Sequence, residues 1–410
     1  MRLGKSILTA FQFVKELRFT GRVLEFKAVA ILALFLLFLP LMQCQQNPGS
    51  TAEEPDDDTP IGPTLPIADL EAILTEHCQT DPELLAAGIC VDKRGYPVWT
   101  SLYGYTDSDK SKAISPNNLF ILGSVTKTWI ATMILQLVEE GQIDLNESIA
   151  KYLPENIALV LFQEYSQDIS VYQLLSHRSG IYNYFRTSFL NMLKTQTEHH
   201  YTPLEIITMT VDQGYVVFEP GRQYDYSNTN YILLGCILEN VCGKPLNNIL
   251  RERIYDKINL QNTFLQDFDH YSREIAHGYQ AGVDGSRIHG SAGWAAGALL
   301  STPKDPSTFM RALMDGELFQ NDSTLIRMQT PSENSDYGCG MITMVHEDYG
   351  RVYYHSGGLI GFVCFMFYFE DLDIVISGFI TATRNILEIQ PYADLMFPIL
   401  DLLRNYNQSS

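Results

Sequence analysis

Apolar residues at Ile130, Met133, Ile134, Leu137 and Val138 recur with the spacing of one helical face, and Gly141 follows where a helix is commonly closed. The same periodicity predicts helices over residues 67–77 and 203–213, the latter with proline in its first turn. Tyr231, Leu234, Leu238 and Val241 mark another, closed by Gly243. A shorter helix begins at Val171 and stops at Ser176-His177-Arg178-Ser179-Gly180, while residues 145–154 read as a loop with a helical turn. Strand-like runs lie toward the two ends. Residues 86–91 and 97–103 flank a turn at Asp92-Lys93-Arg94-Gly95. Residues 352–355, 362–369 and 374–380 form three more runs, separated by Gly357-Gly358 and by Asp371-Leu372-Asp373. Connections this short make the last three antiparallel neighbours, and a helix over 391–403 is expected to cover them. Strands at both ends with helices between predict an α/β (α+β) domain, an antiparallel sheet flanked by helices and carrying an inserted helical lobe. No internal repeat is evident.

Ahead of this domain the pattern changes. Residues 1–43 carry six basic side chains against two acidic ones, and residues 28–43 are uncharged and largely apolar. A basic flank before an apolar run of this length reads as a secretion signal, cleaved or retained as an anchor, with its N-terminus cytoplasmic. Leu41-Met42-Gln43-Cys44 resembles a bacterial lipobox, which makes Cys44 the candidate lipidation site; Gln43 departs from the small residue usual there. Residues 44–66 are acidic and proline-rich, a spacer unable to build a core. The chain thus divides into a leader (1–43), a linker (44–66), a catalytic-size domain (67–403) and a short tail (404–410). The formal charge is −20, but beyond residue 43 the chain has 22 basic and 46 acidic residues. So acidic a domain is not expected to bind nucleic acid.

Cys44 aside, six cysteines remain in a chain expected to be exported, so disulfides are permitted, with Cys78–Cys90 the least speculative pair. No cysteine pair has zinc-site spacing, and His199-His200 lacks the His-Glu-x-x-His arrangement, so no metal is expected. No phosphate-binding glycine loop and no Gly-x-Ser-x-Gly elbow occur, and no cofactor is expected.

Ser124-Val125-Thr126-Lys127 places a hydroxyl and an amine one turn apart at a helix start, beside unpaired backbone N–H groups. A serine nucleophile needs a base for its proton and donors for an oxyanion. Two further stretches complete a pattern: Tyr226-Ser227-Asn228 before another helix, and His355-Ser356-Gly357-Gly358 at the end of a strand. In this order and separation they resemble the serine β-lactamase and penicillin-binding-protein superfamily, in its class C-like branch of β-lactamases, D-alanyl-D-alanine carboxypeptidases and esterases. Residues 174–180, 218–221 and 293–302 match as well, so the resemblance covers nearly the whole of 67–403.

The resemblance implies a β-lactamase/transpeptidase-like fold and a hydrolase that passes through an acyl-enzyme. Ser124 is then the nucleophile, Lys127 its base, and Tyr226 a proton relay to the leaving group and for the deacylating water. Asn228 binds the substrate amide, and the N–H groups of Ser124 and Gly358 form the oxyanion hole. Gly357 lets substrate lie against the strand. Where many members have Lys, this chain has His355, only partly charged near neutrality, with Ser356 left to donate to a substrate carboxylate. His177 is expected to serve the turn it sits in. The favoured activity is that of a D-alanyl-D-alanine carboxypeptidase on peptidoglycan peptides, at a membrane reached through the N-terminal segment. An esterase or weak β-lactamase using the same residues, and an inactive muropeptide-binding lipoprotein, are the alternatives. The acyl donor is set by the loops over 187–201 and 266–290.

Overall fold

The computed structural model describes residues 64–161, 169–385 and 392–406. The predicted leader, Cys44 and nearly all of the linker lie outside them, and no helix among the described residues is long and apolar enough to cross a membrane.

The chain enters through α1 (Ile67–Thr80), β1 (Leu84–Lys93) and β2 (Trp99–Gly104). From β3 (Phe120–Ile121) a tight turn at Gly123–Val125 leads into α2 (Thr126–Glu139). The lobe follows, with α3 (Glu155–Val160), α4 (Val171–Leu175), α5 (Thr187–Leu193), α6 (Pro203–Asp212), α7 (Asn228–Cys242) and α8 (Leu246–Leu250). Short strands β4 (Phe264–Leu265), β5 (Tyr279–Gln280), β6 (Val283–Asp284) and β7 (Leu299–Ser301) precede α9 (Lys304–Met314) and α10 (Asp322–Gln329). The chain closes with β8 (Ile342–His346), β9 (Gly350–Leu359), β10 (Phe362–Phe369), β11 (Ile374–Ala382) and α11 (Tyr392–Tyr406).

Six strands form one sheet in the order β2-β1-β11-β10-β9-β8, each pair antiparallel, so the N-terminal hairpin docks on the last strand of the chain. Every residue of β11 is buried. Successive side chains point to opposite faces, and both faces are covered. Phe365, Phe367 and Ile376 pack with Leu70 and Leu74 of α1 and with Leu395 and Ile399 of α11. Cys364, Met366, Val375 and Phe379 pack with Phe309 and Leu313 of α9 and with the lobe. Each large side chain so buried contributes roughly 1.5–3 kcal/mol, which is what ties the two ends of the chain together.

Three expectations change. Strand β9 does not end at His355 but continues to Leu359, so the whole His-Ser-Gly-Gly stretch lies within it. The edge strand β8 carries no clear alternation and went unpredicted. Cys78 and Cys90 are free thiols, as are the other described cysteines. The cause is strand alternation: Ile89 and Val91 join the core beneath α1, where Cys78 sits, while Cys90 turns to the opposite face toward Thr100 and Ser307. Burial pushes both thiols up, to about 12 and about 11 respectively.

Candidate active site

The turn before α2 brings Ser124 against β9. Gly123 adopts φ +53°, and a Cβ there would lie 2.5 Å from the Gly358 nitrogen, so these two segments meet only through glycine. Gly357 makes the reciprocal approach: its Cβ would fall 2.1 Å from Leu122 O and 2.6 Å from Ser124 N.

Lys127, one turn beyond Ser124, is the second residue of α2 and is fully buried. Its Nζ lies 3.0 Å from Ser124 Oγ and donates to Asn228 Oδ1 at 2.8 Å and to the Ala296 carbonyl at 2.6 Å, which uses both hydrogens of a neutral amine and leaves its lone pair for the Ser124 hydroxyl. The rings of Tyr226 and Tyr231 flank it at 5.0 and 5.5 Å. No carboxylate is among these partners, and burial pulls the amine well below the usual lysine range. Tyr226 closes the other side. Burial holds its hydroxyl protonated, well above the ordinary phenol range; the oxygen makes no well-formed hydrogen bond, though nearby Ser124 offsets a little of the shift.

Asn228, the first residue of α7, is held in turn by Asn183, whose Oδ1 accepts from the Asn228 backbone N–H (3.1 Å) and side-chain amide (3.2 Å). Just beyond, His177 Nδ1 accepts from Ser227 N (3.2 Å) and faces the Asn230 amide (3.3 Å). The turn before α7 is thus braced by a buried imidazole, kept neutral by burial first and by Lys127 second. Asn183, Tyr231 and the Ala296 carbonyl were not singled out from the sequence. Ala296 belongs to a stretch that had been noted, but a backbone acceptor leaves no residue-type signal.

The third motif needs correction. His355 is 2% exposed, its Nδ1 lies 2.6 Å from Ser356 O and its Nε2 3.0 Å from the Tyr337 hydroxyl. The carbonyl can only accept, so Nδ1 carries the proton and Tyr337 donates to Nε2. Burial, with Lys127 nearby, lowers the ring to about 3. It is uncharged near neutral pH, and it does not supply the partial charge expected for reading a carboxylate. Ser356 is not brought to Ser124: it pairs with Phe365 on the face covered by α11 and interacts there with Tyr392. Period-two alternation, with His355 facing inward, forces Ser356 outward. His355→Gln is therefore expected to leave the pH midpoint of kcat/KM within a few tenths of a unit, measured between pH 5 and 9.

Ser124 and Asn228 open into a cleft of about 550 Å³, part of it open solvent, whose walls include Tyr184, Phe185, Gln266, Ile288, His289 and Leu359. Neither Tyr226 nor His355 lines it.

The sequence matches the family described as Beta-lactamase over residues 74–393. The chain belongs to the beta-lactamase family. The D-stereospecific amidohydrolase from Streptomyces sp. superimposes with a TM-score of 0.69 at 26% identity, covering 80% of this chain and 98% of that one. Teichoic acid D-alanine hydrolase of Staphylococcus aureus is 24% identical over 321 residues, 76% of this chain and 75% of that protein. Protein flp of Staphylococcus aureus (strain MW2) is 27% identical over 207 residues, 50% of this chain but only 40% of that protein's length.

Proposed function

We propose that this protein is a serine hydrolase that cleaves small amides or esters with uncharged leaving groups through an acyl-enzyme on Ser124. The observation that carries the reading is the buried, carboxylate-free Lys127 amine 3.0 Å from Ser124 Oγ. A neutral amine accepts the hydroxyl proton as Oγ attacks the carbonyl carbon. The oxyanion receives the N–H groups of Ser124 and Gly358, and Tyr226, protonated, passes a proton to the departing nitrogen or oxygen while Lys127 resupplies it. Water then replaces the leaving group and the same proton path runs in reverse.

The neutral leaving group distinguishes this from carboxypeptidase action. A terminal carboxylate requires a cation or a directed donor, and His355 is neutral while Ser356 faces the other layer. The amidohydrolase and the D-alanine hydrolase among the similar proteins support an amide or ester substrate. An exported, tethered location is part of the same proposal; it draws on the basic and apolar leader and on the teichoic acid substrate named for one relative. Intact-mass analysis after a p-nitrophenyl ester should show an acyl adduct mapping to Ser124. A diacetyl-Lys-D-Ala-D-Ala peptide should be turned over at least about 100-fold more slowly. No adduct on Ser124 would overturn the reading, and equal turnover of the peptide would restore the carboxypeptidase.

A further inference from the structure

The cleft beside Ser124 excludes Tyr226. If Tyr226 serves the leaving group, as proposed above, the cleft receives the acyl portion of the substrate, and this inference rests on that reading. None of its walls is a Lys, Arg, Asp or Glu side chain. His289 is the one imidazole in this uncharged, partly aromatic lining.

The segment bearing His289 is pinned from two neighbouring stretches. His289 N donates to Thr197 O (2.7 Å), Gln266 Nε2 to Ile288 O (2.8 Å), Gly290 N to Asp267 Oδ2 (2.6 Å) and Tyr201 N to Ser291 Oγ (2.8 Å). A Cβ at Gly290 would lie 2.5 Å from Gln266 O, so the approach is built for glycine. A wall anchored in this way holds its side chain ready for a ligand without further ordering cost.

The same contacts fix the tautomer. Ser291 N–H donates to His289 Nδ1 at 3.2 Å. The Ser291 hydroxyl, whose oxygen already accepts from Tyr201, lies 2.8 Å from Nδ1 and gives its own proton to it. Nδ1 is therefore an acceptor, and the ring proton of neutral His289 is on Nε2. Nε2 has no hydrogen-bond partner among the described residues and is not sealed from solvent. Burial, with His200 and His199 behind it, keeps the ring neutral against the pull of Asp267, 3.7 Å away.

We propose that His289 is a specificity-determining residue, its Nε2–H donating to a hydrogen-bond acceptor, an amide carbonyl, on the acyl group held in the cleft. A cleft with a neutral donor and no acidic wall suits an N-acylated acyl group better than a free ammonium.

The test compares p-nitrophenyl N-acetylglycinate with p-nitrophenyl pentanoate, esters of matched length with and without the acceptor. In the full-length protein kcat/KM should favour the acetylglycinate by about tenfold, the value of one net hydrogen bond. His289→Leu should abolish the preference, chiefly by raising KM for the acetylglycinate, and His289→Gln, which keeps a neutral N–H, should retain part of it. The same preference in the leucine variant overturns the proposal. Should that variant not fold, the wild-type protein decides. Its His289 ring resonance, identified by its loss in His289→Gln, should move with N-acetylglycinamide and not with pentanamide. An unmoved resonance overturns the assignment even if neither ester is hydrolysed, an outcome that on its own would count against Ser124 acylation instead.

Discussion

Replacing Lys127 with methionine is expected to lower kcat for a p-nitrophenyl ester by about three orders of magnitude, within the range attributed to a positioned general base. Methionine has similar reach and suits the buried site, so the loss reports the proton acceptor more than the fold. Stability should also change with pH in a specific direction. Burial depresses the folded-state pKa of this amine, so below the unfolded value the unfolded chain binds a proton that the native site resists. Wild-type stability therefore rises with pH between the folded and unfolded pKa of Lys127, by up to about 1.4 kcal/mol per pH unit for one proton. The methionine variant should lose that slope. Its absolute stability is a contest: the desolvated amine is gone, but Asn228 Oδ1 and Ala296 O each lose a donor, at roughly 1–3 kcal/mol per unsatisfied buried group. Urea titrations at several pH values, alongside ester kinetics, check both halves. An unchanged slope would mean that the buried amine is not what sets it.

The pairing of the last three strands, several helix starts and the association of three distant motifs were legible because each leaves a local trace: a period, a turn residue, a spacing. Ser124 and Lys127 could be paired from helix geometry alone, since residues three apart share a face. What the sequence concealed depends on a register or on backbone atoms. Whether Ser356 faces the cleft or α11 turns on the parity of one strand, and motif membership alone does not reveal it. The neutrality of His355 follows from its burial, with Lys127 nearby, and its tautomer from Ser356 O and the Tyr337 hydroxyl, none of which the motif shows. Asn228 offers a cleaner lesson. Its residue type suggested a substrate contact, yet its oxygen is engaged by Lys127 and its amide by Asn183, so it first holds the Lys127 amine in place. The loop over 266–290 was expected to shape the pocket, and it does so through Gln266 and Asp267, which pin the wall rather than merely fill it.

Gly357→Ala should be severely damaging to the site. The added Cβ would meet Leu122 O at 2.1 Å, Ser124 N at 2.6 Å and Val125 N at 2.9 Å, all of them backbone atoms. A flexible side chain could swing away, but a turn locked between β3 and α2 cannot, so β9 or the nucleophile segment must move. Either displacement parts Ser124 N from Gly358 N, the two donors assigned to the oxyanion. Loss of one such donor costs about 10²–10³ in rate, so kcat/KM should fall by at least about 100-fold. The overpacking should also cost about 1–3 kcal/mol of stability, visible as a lower thermal midpoint. The combination is diagnostic. A folded variant with full activity would mean that β9 relaxes without disturbing the donors, and the oxyanion site would then have to be sought away from Gly358.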